Sequence, residues 1–196
     1  LCVFSLPGTP VYDGARLFLV VFPLWALFAG RGGQEAFDWL QKRMSATKSR
    51  ITLCGILILQ AYGILFLAPY WLSYYNLAVG GLRGADRLGF ERTYWGDTVT
   101  HPLIEEALDK LPDSSRLFVA PVLHQFQLPA MLEQEPLFSR HGIRLEPYEG
   151  GPLRDGDYLL VYYRRANMDI DLSEGWKVIA ELRREGVPLA GVYQRL

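Results

Sequence analysis

Between Ile51 and Pro69 the chain runs nineteen residues without a charged side chain, and Gln60 is the only strongly polar member. A helix needs about 20 apolar residues to cross the hydrocarbon core of a bilayer. Such a helix satisfies its own backbone, so this run belongs in lipid or deep inside protein. Gln60 is then expected to bond to a neighbouring helix. The stretch after this run is equally constraining. From Tyr70 to Asp97 the rings crowd both ends: Tyr70, Trp71, Tyr74 and Tyr75, then Phe90, Tyr94 and Trp95. Gly80, Gly81, Gly84, Gly89 and Gly96 punctuate the middle. Trp and Tyr favour the headgroup layer, where an apolar body and a polar tip are both satisfied. The stretch reads as a collar where the chain leaves a membrane.

Charge divides the chain at the same place. The first 82 residues carry nine charged side chains and the remaining 114 carry thirty-two. The first part is net positive and the second net negative, with a formal total of -1. No sustained basic stripe exists for nucleic acid. Cys2 and Cys54 sit in apolar runs and read as small hydrophobes rather than a disulfide or metal pair. The chain begins at Leu1 inside an apolar run, with no basic head or small-residue cleavage site. It reads as the C-terminal piece of a longer polypeptide.

Leu1–Leu6 looks like the end of a spanning helix, broken by Pro7, Gly8 and Pro10. A second apolar segment covers residues 16–30. Its fully apolar core is short of the ~20 residues of a typical span. Counted from Val11, with Tyr12 at the interface and Arg16 snorkelling outward, it reaches across. Pro23 is expected to kink it. A buried helix of a soluble protein is the alternative. Residues 31–50 carry Arg31, Lys42, Arg43, Lys48 and Arg50. Within them Phe37, Leu40 and Met44 fall on one helical face flanked by Trp39, as in a short helix lying on a membrane surface. The Lys and Arg excess places this loop on the cytoplasmic side. The expected architecture is a membrane α-helical segment of two spans plus a remnant of a third, followed by a small extracytoplasmic α/β domain. Its parts are residues 1–72 in and on the membrane, 73–97 as exit linker and 98–196 as the water-soluble domain.

In that last part, residues 99–111 show a helical apolar stripe. Residues 116–121 read as a buried strand. Residues 125–140 read as helix interrupted near Pro129 and Pro136, and 143–147 as a second strand. Residues 157–164 contain a run apolar on both faces, as a central strand has. Residues 173–195 admit a helix ending at Gly186 or a hairpin turning at Glu185–Gly186, and the balance tips to the hairpin. The pattern implies an α/β layer of three to five strands.

Residues 9–19 (TPVYDGARLFL) with the Pro-containing segment after them, residues 69–81 (PYWLSYYNLAVGG), GADR at 84–87 and YWGD at 94–97 together resemble bacterial family 39-like membrane glycosyltransferases. These belong to the GT-C superfamily and are related to dolichyl-phosphate-mannose protein mannosyltransferases. The resemblance covers roughly residues 9–100 and is loose beyond. It implies a multi-pass protein of the inner cell membrane that transfers a sugar from a polyprenyl-phosphate donor to an extracytoplasmic acceptor. Its partners are then membrane lipid and the lipid-linked sugar, with no nucleic acid. The family's acidic catalytic motif lies in an early loop that matches nothing here, so no catalytic residue carries over. No cofactor is implied for this stretch; a divalent metal is compatible with the intact enzyme. A non-catalytic membrane-anchored binding or sensor module is the alternative.

Four residues are candidate contacts for the lipid phosphate: Asp13, Arg16, Tyr75 and Asn76. A guanidinium at the lipid boundary forks onto phosphate oxygens and keeps its charge. Asp13 equally suits capping a helix through the Arg16 N–H. Tyr74, Tyr75 and Asn76 suit either a membrane-facing cleft or interface anchoring. Gly80, Gly81 and Gly84 read as a tight turn or as a backbone nest for an anion. His101, His124 and His141 lack ligand spacing, so no metal site is expected. Asp169 and Asp171 sit in a polar loop, and Asp97 is expected to cap the helix after it.

Overall fold

The computed structural model describes residues 21–165, 170–172 and 174–196, without the Gln60 side chain. The expected remnant span at Leu1–Leu6, Cys2, Asp13, Arg16, the Gln60 side chain and Asp169 lie outside the described residues. The chain divides into two compact units, the first ending at Leu59 and the second running from Gln60 to Leu196.

Helix α1 spans Phe22–Gln41 and α2 spans Ala46–Leu67, crossing from the first unit into the second. The boundary expected at Gly30 is absent. Helix α1 continues through Gly30, Gly32 and Gly33 to Gln41. Pairs one turn apart hold its polar half: Arg31 with Glu35, and the Gln34 amide donating to Asp38 at 2.9 Å. The Arg43 guanidinium lies 4.4 Å from the Trp39 ring centre. Phe37, Leu40 and Met44 are the half-buried face expected of them, but Phe37 and Leu40 belong to α1 rather than to a separate surface helix. Pro23 stands in the first turn of α1, where its missing N–H breaks no bond and no kink is needed. Among the described residues only α2 is long and apolar enough to cross a membrane. A pair of spans is therefore not shown.

The second unit continues with 3-10 turns at Trp71–Ser73 and Leu77–Val79, then α3 (Gly81–Arg87) and α4 (His101–Leu108). After these come β1 (Arg116–Ala120), α5 (Gln127–Gln134), α6 (Pro136–Arg140), β2 (Arg144–Pro147), β3 (Tyr158–Tyr162), β4 (Trp176–Arg184) and β5 (Val187–Arg195). One mixed sheet has the order β2-β1-β3-β5-β4. Strand β1 runs parallel to β2 and β3, and β5 runs antiparallel to both β3 and β4. The expected α/β layer is present with five strands. Every residue of β3 is buried, in the middle of the sheet. The last segment is the hairpin. Glu185 and Gly186 take φ of 50° and 77°, the two left-handed residues that a two-residue type I′ loop requires. Pro129 does not interrupt a helix. It sits in the first turn of α5, where no backbone donor is used, and the break falls at Glu135–Pro136.

Alternation along the strands sorts the core into faces. Leu117 and Val119 of β1, Leu160 and Tyr162 of β3 and Val192 of β5 pack with Leu103, Ile104 and Phe138 from the helices. Phe118, Ala120, Leu159, Val161 and Tyr193 face the other way, under Tyr148, Leu153, Leu172 and Trp176. A third cluster joins Leu67 at the end of α2, Tyr70 and Leu82 to Val187 and Leu189 of β5. The stretch after α2 thus packs on the sheet.

Gly84 marks the tightest approach in that stretch. A Cβ there would lie 1.8 Å from the Val79 carbonyl oxygen, a backbone atom with no rotamer to escape into. Gly84→Ala is expected to cost about 3 kcal/mol of unfolding free energy, measured by chemical denaturation of the full chain in detergent with near-ultraviolet circular dichroism as the probe.

Candidate functional site

The polar groups of the second unit concentrate where residues 75–97 meet the sheet. The N-cap of helix α3 is Gly80, in a left-handed conformation with φ 84°. Of the two readings these glycines allow, the turn is present: Gly80 and Gly81 form it with positive φ into α3, and the anion beside them comes from the chain itself. The Glu185 carboxylate, from the β4–β5 turn, accepts from the Arg83 N–H at 3.1 Å. In return the Arg83 Nε donates to the Glu185 carbonyl at 3.2 Å. A Cβ on Gly81 would meet that carboxylate at 2.9 Å, so glycine is what lets the anion in.

At the other end of α3, Asp86 accepts from Arg92 Nε at 2.5 Å and from an Arg165 terminal nitrogen at 2.7 Å. Arg165 also donates to the Asp86 carbonyl at 2.9 Å, and its backbone N–H donates to Glu91 at 2.7 Å. Burial works to raise the Asp86 pKa, but the bonds from Arg165 and Arg92 outweigh it and hold the carboxyl below its ordinary value. Arg92 also lies over the Tyr163 ring, 5.1 Å from its centre. The Tyr163 and Tyr193 hydroxyls meet at 2.6 Å, and Tyr193 donates to Glu181 at 2.7 Å. Glu181 is paired in turn with Arg183. Burial pushes both phenols up, Tyr193 further through its bonds to Tyr163 and Glu181. One polar chain therefore runs from α3 across β5 to β4.

The candidate residues named from sequence fall unevenly on this site. Asp13 and Arg16 are outside the described residues. Tyr75 joins the network: its hydroxyl donates to the Glu91 carbonyl at 2.6 Å and its ring stacks on Phe90 with centres 5.8 Å apart. Asn76 is local, its side chain accepting from the Ala78 N–H at 3.0 Å to start the short turn at Leu77. Asp97 does not cap α4, whose N-cap is Thr100. It accepts instead from the Thr93 hydroxyl at 2.6 Å, closing a loop in which Trp95 and Gly96 both have positive φ. Burial raises the Asp97 pKa. His101 and His141 each lie against one carboxylate, Glu135 at 2.8 Å and Asp113 at 2.9 Å, while His124 stacks on Phe126. Among the described residues no three His, Cys, Asp or Glu side chains converge to hold a metal.

Sequence reading missed Asp86, Arg92 and Arg165 as a unit. Asp86 and Arg165 are 79 positions apart and share no local motif. Chemically the cluster suits recognition better than proton transfer. A carboxylate held below its ordinary pKa by two guanidinium groups is a weak base, while arginine keeps N–H donors available for anions. Compared with known proteins, the chain matches no family model, no curated protein and no solved structure.

Tyr75 gives the site a measurable signature. Its pKa is raised to about 12, by burial first and then by neighbouring Tyr94 and Glu91. The fold therefore favours the neutral phenol. That contribution to stability is complete below the ordinary tyrosine value of 10.0 and is lost as pH rises from there toward about 12. Phenolate absorbance, taken as the difference between the native chain and Tyr75→Phe, is expected to show a titration near pH 12. A difference titrating at the ordinary tyrosine value would contradict the packing described.

Proposed function

We propose that this chain is the membrane-seated C-terminal part of a GT-C-type glycosyltransferase, which moves a sugar from a polyprenyl-phosphate donor to an acceptor outside the cytoplasm. One observation carries the membrane half of this reading. Helix α2, whose apolar side chains are largely exposed, runs directly into a stretch that is part of the sheet domain yet exposes Trp71, Leu72, Leu77, Leu88, Phe90 and Trp95. Arg83 and Arg87 are exposed in the same stretch, and Arg184 lies 4.8 Å over the Tyr70 ring. Rings at the headgroup level with guanidinium groups near lipid phosphates seat a domain on a bilayer surface. In this reading the apolar segment of residues 16–30, counted from Val11, is the second crossing, the polar residues from Arg31 onward emerge in the cytoplasm, and the segment after Tyr70 lies on the opposite side.

The transferase half is supported by the resemblance of residues 9–19, 69–81, 84–87 and 94–97. Arg16 is assigned to the lipid phosphate. Tyr75, tied to Glu91 and hence to Arg165, braces the collar. A non-catalytic, membrane-anchored binding module is the second reading. It is favoured by the Asp86 network, in which the carboxylate is already committed to two arginines.

Cysteine labelling on sealed vesicles tests the membrane half: single cysteines within residues 42–45 and near Leu196 should react from opposite sides. Labelling of both from one side would end this reading. A radiolabelled donor assay on the intact membrane protein tests the other half. Arg16→Ala is expected to weaken donor binding about tenfold or more while leaving the fold intact, and unchanged donor affinity would remove Arg16 from the site.

A further inference from the structure

On the sheet face turned away from α4, α5 and α6, at the β1–β2 edge, lies an open cleft of about 290 Å³. Its chemistry comes from Arg116 and Phe118 of β1, from Tyr148, Glu149 and Arg154 of the connection between β2 and β3, and from Asp157 just before β3. Asp157 is held in place on two sides. It accepts from an Arg116 terminal nitrogen at 3.3 Å and from the Arg154 backbone N–H at 3.0 Å, and its side chain is only 13% exposed. The Arg116 guanidinium covers the Phe118 ring, 5.6 Å from its centre. The side chains of Arg154 and Glu149 stand exposed at the rim.

We propose that this cleft is a saccharide-binding site. Two arginines against two acids leave the lining without net charge, so it offers no strong preference for an anion such as phosphate. Guanidinium and carboxylate groups are planar and two-pronged, a geometry that engages neighbouring hydroxyls in pairs. The half-buried Tyr148 ring supplies an apolar surface for the C–H face of a pyranose and a hydroxyl to donate. Asp157 is already fixed, so its acceptor oxygens carry little ordering cost on binding. The cleft falls just under the ~300–1,000 Å³ of drug-sized pockets, which suits one or two sugar rings. The proposal deepens the transferase reading, on which it rests for its role: the cleft would hold sugar of the acceptor.

Saturation-transfer NMR on the full chain in a sugar-free zwitterionic detergent tests it. The probes are methyl glucoside, methyl mannoside and the methyl glycoside of N-acetylglucosamine, with inorganic phosphate as competitor. Transfer to at least one pyranoside is expected, undiminished by phosphate. Arg154→Ala and Glu149→Gln, both at exposed positions, are expected to weaken its Kd about tenfold, while Arg87→Ala on α3 leaves it unchanged. No transfer to any of the three sugars, unchanged affinity in both rim variants, or displacement by phosphate overturns the site. The donor assay on the intact protein separates the two ideas. Sugar binding with a silent donor assay keeps the cleft and removes the transferase reading. An active donor assay with no sugar binding removes the cleft alone.

Discussion

The bond between the Glu185 carboxylate and the first turn of α3 sets the register of that helix on the C-terminal hairpin. It joins the tip of the C-terminal hairpin to the stretch that follows the apolar helix, and it is reciprocal, since Arg83 returns a bond to the Glu185 carbonyl. The magnitudes separate two roles. Burying Leu67, Leu82, Val187 and Leu189 contributes on the order of 1.5–3 kcal/mol for each side chain, against about 1 kcal/mol for a helix cap. The apolar cluster holds the contact together, and the cap chooses its register. Gly81 has room for that carboxylate only because it lacks a side chain.

A second, purely polar connection spans the same contact. Arg92 and Arg165 meet on Asp86, and Arg92 leads through the Tyr163 ring to Tyr193, Glu181 and Arg183. Asp86, Arg92, Tyr163 and Glu181 are half-buried and Tyr193 is buried, while Arg165 and Arg183 are exposed. At the inner groups Coulomb attraction is stronger than at the surface and an unpaired charge is correspondingly costly. The network therefore gives specificity of arrangement more than net stability. It fixes Tyr75 and Phe90, and with them the exposed rings beside them.

Much of the sheet is legible in the chain because its signals are local. The run at Tyr158–Tyr162 is apolar on both faces, which a central strand needs and an edge strand does not. The hairpin is harder to read. Ala180, Glu181, Leu182, Arg183 and Arg184 are all good helix formers, so propensity argues one way and the Glu185–Gly186 turn the other. The turn prevails because β5 gives β4 its hydrogen-bonding partner. The end of α1 misleads for the opposite reason. Three glycines in four positions look like a stop, yet Arg31 with Glu35 and Gln34 with Asp38 hold the helix through them. The Asp86 cluster is not legible at all, since its members come from distant segments and carry no spacing of their own. Asp97 is used inside its own loop, by the Thr93 hydroxyl and the backbone around Tyr94, rather than at the start of the helix after it.

The contact at Glu185 also has a temporal side. Arg83 and Glu185 are 102 positions apart, and Val187 and Leu189 come later still. A ribosome makes the apolar helix and the aromatic stretch long before it makes the hairpin they rest on. During that interval Leu82 and Tyr70 have no sheet to cover them. Closing so long a loop is slow compared with forming the local helices. The packing of Tyr70 and Leu82 thus waits for β5 to be made, and a chain truncated just before β5 would leave α3 without the strand it packs on.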